Sequence, residues 1–392
     1  MFEPGGDTDT LRAGVREWCA EHVPPNWRED LTDANHEQIS TFLRWWAGEL
    51  REAGLIAPHW PKEWGGGFSI PEQVVIAEEF ARGGVPRNGI YHVAVFNVAP
   101  TLLHSATAEQ KERFIGGIKK GEAWCQGFSE PNAGSDLASL RTKAVLDGDN
   151  YVINGQKVWT SWAAYADWCM LLVRTDPDAP KHKGITWVIC DMRSPGIEIR
   201  EIRTMSHVTD FCEVFYDEVR IPLTNVVGGL NNGWRTAMST LSFERGTAFM
   251  ADQVDMASTV EKLIDEARTR TGPDGKRPAI ADEDIAGRLA TARAEIAALR
   301  AMTIAGISRN ARTGVPGPEA SMIRLFHGEV HQRVYQLGLE IIGDDFYRLT
   351  QVDGERTWTG SYLQSFAYTI GGGTTDIQRN IVGERVLGLP RA

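Results

Sequence analysis

Three serines, a glutamine and a tryptophan in the stretch Trp124–Trp162 have the right types for contact with a flat polar ligand. Ser129 precedes the small-residue run Glu130-Pro131-Asn132-Ala133-Gly134-Ser135-Asp136, and Trp159 and Ser161 end the next apolar stretch. The run has little side-chain bulk, so a ligand can approach its backbone. Pro131 favours an extended or turn conformation, and Asn132 and Gly134 tolerate unusual dihedrals. The N–H groups and hydroxyls of Ser129, Ser135 and Ser161 suit the edge of a ring that both accepts and donates hydrogen bonds. Trp159 suits the face of that ring. A polar turn between two strands of an ordinary barrel would use the same residues, and on residue types alone both readings stand.

A second candidate is Glu244, flanked by Leu241, Phe243 and Phe249 and adjoining Arg245. A carboxylate in closed apolar surroundings has a raised pKa and becomes a better proton acceptor. Taken alone, a Glu beside an Arg on a helix reads as a solvated surface pair. His327 and His331 are four apart, a spacing that can hold a metal on a helix. No third ligand is evident, so they read as a helix face and no metal is expected. A Gly-rich GxGxxG turn between a strand and a helix is also missing, so a dinucleotide-binding fold is not expected.

The elements that must position these residues change period twice along the chain. Residues 1–121 read as helical, with Leu43, Trp46, Leu50 and Leu55 near helical spacing. Asp9-Thr10 is a candidate cap for the first helix, and Thr107-Ala-Glu-Gln110 is a capping-box pattern for a later one. Residues 122–230 alternate instead. The segments 144–146 and 151–153 flank Asp147-Gly148-Asp149-Asn150, a hairpin signal. Strands are predicted over 169–174, 185–191, 197–202 and 213–219. Residues 231–392 return to helix, with Ile285, Leu289, Ala292, Ile296 and Leu299 on one stripe of an Ala-rich segment that suits close helix packing.

A chain of 392 residues exceeds one comfortable core, so two or three domains are expected. Net charge is −11 with a pI of about 5.4. That balance argues against nucleic-acid or anionic-membrane partners. A polyanionic ligand would therefore need a local basic patch. Five scattered cysteines, Cys19, Cys125, Cys169, Cys190 and Cys212, read as reduced thiols of a cytoplasmic protein. No stretch approaches the roughly 20 apolar residues of a membrane helix, so no membrane insertion is expected. The N-terminus lacks the apolar core of a signal peptide.

Three separated stretches carry a family resemblance. FSEPNAGSDLASL followed by NGQKVWTS resembles the flavin-loop signature of the acyl-CoA dehydrogenase family. YDEVRIPLTNVVG at 216–228 and GGGTTDIQRNIVGERVLGLPR at 371–391 are similar to two further family stretches in order and spacing. The resemblance implies a mainly α fold with an inserted β domain: an N-terminal helical domain over 1–121, a central β-barrel over 122–230, and a C-terminal four-helix bundle over 231–392. It implies FAD as cofactor, held between the β domain, the bundle and a neighbouring subunit. It also implies an acyl-CoA thioester as substrate, a trans-2-enoyl-CoA as product and an electron-transferring flavoprotein as acceptor. The expected assembly is a homotetramer or a two-plus-two heterotetramer.

Carried over residue by residue, Gln126, Phe128, Ser129, Gly134, Ser135, Trp159 and Ser161 match flavin-contacting positions. Thr374 matches a flavin-loop threonine, and Asp376 stands where Gln or Glu is usual. Glu340 and Gly343 lie where the family has an adenosine-contacting step, and Arg270 is the candidate for the pyrophosphate. Most members carry the catalytic base in a YEG step late in the chain. Here the matching residues are Gly371-Gly372-Gly373. Glu244 instead matches a minority, similar to isovaleryl-, long-chain and bacterial sterol side-chain enzymes, that place the base on a helix just before an Arg. Ser135, Arg245 and Gly372 are the implied substrate contacts, with the Gly372 N–H donating to the thioester oxygen. The glycine run either opens the pocket to a branched or ring-bearing acyl group or is only a Gly-rich lead into a helix. Two rival readings keep the fold: an acyl-CoA oxidase or other flavin oxidase, and a partner subunit of a mixed tetramer.

Overall fold

The computed structural model describes residues 1–31, 34–86, 89–243, 248–313, 317–347 and 357–390. Helical regions at both ends of the chain enclose a β region, in the order that the change of period predicts.

In the N-terminal region, helices Thr8–His22, His36–Ala53 and Ile70–Arg82 bury Val15, Trp18, Trp46, Leu50, Val75 and Ile76 in one core. Asp7, not Asp9, caps the first helix; its carboxylate accepts the Thr10 N–H at 2.8 Å. A cap must precede the helix to reach that N–H, so Asp9 falls in the first turn, at the positive end of the helix dipole. Thr107 and Gln110 form the reciprocal capping box expected of them. Gln110 also turns inward, donating to the carbonyls of Thr224 and Val226 at 2.7 and 2.8 Å. Residues 89–105 are helical with a π segment, Val93–Val98, at their centre.

The β region has eight strands: β1 Trp124–Gly127, β2 Lys143–Asp147, β3 Asn150–Ser161, β4 Trp168–Arg174, β5 Ile185–Asp191, β6 Ile197–Ile202, β7 Phe211–Pro222 and β8 Val226–Val227. β2 and β3 form the expected hairpin, closing at Asp147 and Asn150 with Gly148 at φ +59°. The expected central β-barrel is a β domain whose sheet does not close: it runs β6-β7-β3-β2-β4-β5-β8, with β1 beside β4. Among the described residues no pairing joins β6 to β8. β8 has only two residues, which leaves too little ladder to close a barrel. β2 and β4 meet only at Lys143 and Arg174. The halves of the sheet enclose Tyr151, Ile153, Val214 and Tyr216 on one side and Cys169, Leu171, Val173 and Val188 on the other.

β4 and β5 are buried on both faces. Their second face packs Met170, Leu172, Ile185 and Trp187 against Val95, Val98 and Leu102 of the helix at 89–105 and Ala237 of helix Gly233–Phe243. A Cβ at Gly233 would lie 2.5 Å from the backbone of Thr186 and Trp187, so only glycine lets that helix start so close to β5.

Among the described residues the C-terminal region has three long helices, Ala248–Thr269, Glu283–Thr313 and Ala320–Ile342. Two short helical pieces, Trp358–Ser365 and Thr375–Ile381, pack on helix Ala320–Ile342, the latter continuing as the π turn Val382–Val386. The predicted stripe Ile285, Leu289, Ala292, Ile296 and Leu299 is buried. Among the described residues no helix is long and apolar enough to cross a membrane.

Candidate functional site

The loop after β1 and the end of β3 are joined into one structure. The Val158 N–H donates to the Ser129 carbonyl at 2.9 Å, extending β3 alongside the loop. Glu130 and Ala133 exchange backbone hydrogen bonds at 3.1 and 3.0 Å, which closes a tight turn around Pro131 and Asn132. Gly134, Ser135 and Asp136 are left exposed. Asp136 is tied to Lys181 at 2.8 Å and to Ser139, and those bonds hold its carboxyl below the usual range.

The bond that fixes this loop comes from a residue the sequence reading did not single out. Lys157 is fully buried; its Nζ donates to the Phe128 carbonyl at 3.1 Å and to Glu130 Oε1 at 2.8 Å. Glu130 in turn accepts the N–H groups of Arg141 and Thr142 at 2.6 and 2.9 Å. Burial pushes the Glu130 carboxyl up, but Lys157 and Thr142 outweigh it and hold it below its ordinary value. Burial pulls the Lys157 ammonium down, and Glu130 only partly restores it. The signal was legible: period-two alternation along β3 puts Lys157 on the same face as Tyr151 and Ile153, and a lysine pointing into a core requires a partner.

Beyond Lys157 the ladder between β3 and β7 slips, and Trp159 lies inside that irregularity at φ +59°. A bulky residue in the left-handed region is strained and marks a place held by its surroundings. Trp159 is 57% exposed, with its ring edge-on to Phe211 at 6.0 Å. Ser161 is half-buried, and Trp162, also left-handed at φ +62°, donates its N–H to the Asp210 carbonyl at 2.7 Å. So Ser129, Ser135, Trp159 and Ser161 stand on two segments stapled together. Phe128 is part of the core beneath them, and Gln126 accepts from Asn97 Nδ2, on the π segment, at 3.2 Å.

Glu244 and Arg245 lie outside the described residues. The helix leading to them is firmly placed: Thr101 Oγ1 and Thr240 Oγ1 are 2.9 Å apart and fully buried. Gly372 lies in the bundle, at φ +66°, just before the helix that Thr374 caps by accepting the Ile377 N–H. Asp376 is exposed in the first turn of that helix, 3.4 Å from Arg379. Ser206 Oγ donates to Gln364 Oε1 at 2.7 Å, linking the loop after β6 to the bundle.

Arg270, Glu340 and Gly343 occupy a different corner. Arg270 pairs with Glu266 and with Asp345 at 3.0 Å, and donates to the Ile342 carbonyl at 2.9 Å. Glu340 accepts both terminal nitrogens of Arg288 at 2.6 and 2.9 Å, and Gly343 ends the helix at φ +63°. No described bond links this corner to the loop after β1.

Comparison with known proteins gives consistent matches along the chain. Family models described as the N-terminal, middle and C-terminal domains of acyl-CoA dehydrogenase match residues 6–122, 125–219 and 231–387. The chain is 38% identical over 392 residues to a Mycobacterium tuberculosis protein named acyl-CoA dehydrogenase IpdE1, covering 98% of both. It superposes on a structure titled "Tcur3481-Tcur3483 steroid ACAD" with TM-score 0.84 and 30% identity, covering 100% of both chains. It also superposes on the ChsE4-ChsE5 complex from Mycobacterium tuberculosis with TM-score 0.83 and 32% identity, again covering 100% of both.

Proposed function

The chain belongs to the acyl-CoA dehydrogenase family, and from that membership we propose that it oxidises a ring-bearing or branched acyl-CoA thioester to its trans-2-enoyl-CoA with FAD. The observation that carries the proposal is the stapled pair of segments, the loop at 126–136 and the strand end at 159–161. It offers serine donors and an exposed Trp159 on one frame. This frame fits a flat cofactor: a Cβ at Gly134 would meet nothing within 4 Å, and Ser135 is exposed beside it. FAD, when bound, supplies the two-electron oxidation by taking hydride from the carbon β to the thioester.

In this proposal Gln126, Phe128, Ser129, Gly134, Ser135, Trp159 and Ser161 hold and orient the ring. Thr374, Asp376, Arg270, Glu340 and Gly343 serve the rest of the cofactor, partly across a subunit interface. The Glu244 carboxylate takes the proton from the α-carbon, and the Gly372 N–H stabilises the charge that develops on the thioester oxygen. Ser135 and Arg245 complete the substrate contacts. The glycines at 371–373 and the resemblance to a structure titled as a steroid enzyme favour a bulky acyl group.

An electron-transferring flavoprotein is the proposed acceptor, and the cytoplasm the proposed location. The likeness to two structures whose titles join two proteins favours a two-plus-two assembly with a homologous chain over a homotetramer. The test is turnover of a panel of acyl-CoAs, from short-chain to steroid-linked, with ferrocenium as acceptor. Steroid-linked thioesters should react fastest; turnover confined to short straight chains removes the substrate proposal. Peroxide formed in step with substrate consumption would favour the oxidase reading instead.

A further inference from the structure

We infer that two buried side chains, Arg324 and Gln378, are positioning residues for the backbone donor at Gly372, because between them they hold the carbonyls of Gly371, Gly372 and Gly373 from the protein side. The inference rests on the thioester reading above and names the residues that would make its donor work.

Arg324 is buried on helix Ala320–Ile342, and its Nη2 donates to the Gly371 carbonyl. Gln378 is buried on helix Thr375–Ile381, and its Nε2 donates to the Gly372 carbonyl at 2.8 Å and the Gly373 carbonyl at 3.3 Å. All peptide bonds here are trans, and in a trans peptide the N–H points opposite to the C=O. A Gly371 carbonyl drawn onto Arg324 therefore turns the Gly372 N–H away from the protein interior. A Gly372 carbonyl drawn onto Gln378 does the same for the Gly373 N–H.

The surroundings agree with that direction. Gly371 and Gly372 are exposed, and the Gly371 N–H is spent on the Ala367 carbonyl at 2.9 Å. Among the described residues no acceptor takes the N–H of Gly372 or Gly373. Gly372 and Gly373 both have left-handed φ, +66° and +95°, a backbone that glycine adopts without strain. The guanidinium of Arg324 on the carbonyl end also polarises the peptide, which strengthens its N–H as a donor to a developing oxyanion. A preorganised donor of this kind costs no reorganisation when charge appears on the substrate.

The test uses the FAD-loaded protein and acetoacetyl-CoA, whose β-keto thioester ionises to a stable enolate. The readouts are the pH at which the bound ligand ionises, FAD content and melting temperature. Gln378→Met and Arg324→Met should keep the FAD content of the wild type. Their bound acetoacetyl-CoA should ionise about one pH unit higher, roughly a tenfold loss in the ionisation constant. With a turned-over substrate, kcat should fall while KM changes little. Arg324→Lys, which keeps a charged donor, should recover part of the loss. Should Arg324→Met not accumulate as folded protein, Gln378→Met decides, since Met matches Gln in length and leaves the charge unchanged. FAD-replete variants that ionise acetoacetyl-CoA at the wild-type pH overturn the positioning role. A wild-type protein that binds FAD but leaves acetoacetyl-CoA in its keto form overturns the thioester reading itself.

Discussion

Lys157 and Glu130 form a closed ion pair, 2.8 Å apart with the lysine fully buried, that joins β3 to the loop carrying Ser135. Breaking a buried pair leaves one charge without compensation, which costs about 3–5 kcal/mol. Lys157→Met should therefore lower the unfolding free energy from urea denaturation by about 3–5 kcal/mol, read as a lower urea midpoint, and weaken FAD retention. Adding Glu130→Gln should recover part of the stability, because a neutral amide needs no counter-ion. An unchanged midpoint in Lys157→Met would show that the pair holds nothing together.

Trp159 is proposed to cover the ring of FAD. Trp159→Ala should raise the FAD dissociation constant roughly tenfold, the scale of one lost aromatic contact. Titration of the apo-protein with FAD, followed by flavin fluorescence, measures it. Equal affinities in the two proteins would place the ring elsewhere.

Glu244→Gln keeps size and hydrogen bonding but removes the proton acceptor. Turnover should fall by about 10²–10⁴-fold with FAD content unchanged, and bleaching of the flavin by substrate should vanish. The double change Glu244→Gly with Gly372→Glu should restore part of the activity, for straight-chain substrates first. The recovery has a ceiling, because Gly372 lies at φ +66° and a side chain there is strained. Wild-type bleaching rates in Glu244→Gln would move the base to another residue.

Acid stability should depend on Glu79. Its carboxylate is bound by Arg12 at 2.7 Å, Arg16 at 2.9 Å and Arg82 at 2.6 Å. Burial pushes this carboxyl up, but Arg16, Arg12 and Arg82 outweigh it and hold it at about 2, against an ordinary 4.5. A lowered folded-state pKa means stability that is present above pH 4.5 and lost as the pH falls towards 2. Melting temperatures followed down that window should drop more steeply in the wild type than in Glu79→Gln. Parallel curves would remove Glu79 from the acid response.

Much of this protein is decided by local residue order. The hairpin at Asp147–Asn150 needs only a Gly-containing turn between alternating segments. The Thr107–Gln110 box needs only two side chains three apart. The buried stripe on helix Glu283–Thr313 follows from helical period. The stretches at 126–135 and 159–161 were legible as site candidates for a related reason, because small and hydroxyl-bearing residues cluster there without an apolar task.

Tertiary structure decided what period and motif cannot encode, since each case depends on a partner distant in the chain. Whether the strands close into a barrel depends on how much ladder β6 and β8 can offer each other, and two residues in β8 offer too little. Gln110 caps its helix through Oε1, and only the fold brings the Thr224 and Val226 carbonyls to its Nε2. Alternation points Lys157 inward, but which carboxylate meets it is decided only when the fold brings Glu130 to 2.8 Å across 27 residues of chain. The direction of the Gly372 N–H is set by Arg324, 47 residues before the carbonyl it holds. Residue order determined which groups were available for chemistry. Long-range packing determined which way they point, because a hydrogen bond fixes direction only when its partner has been delivered by the fold.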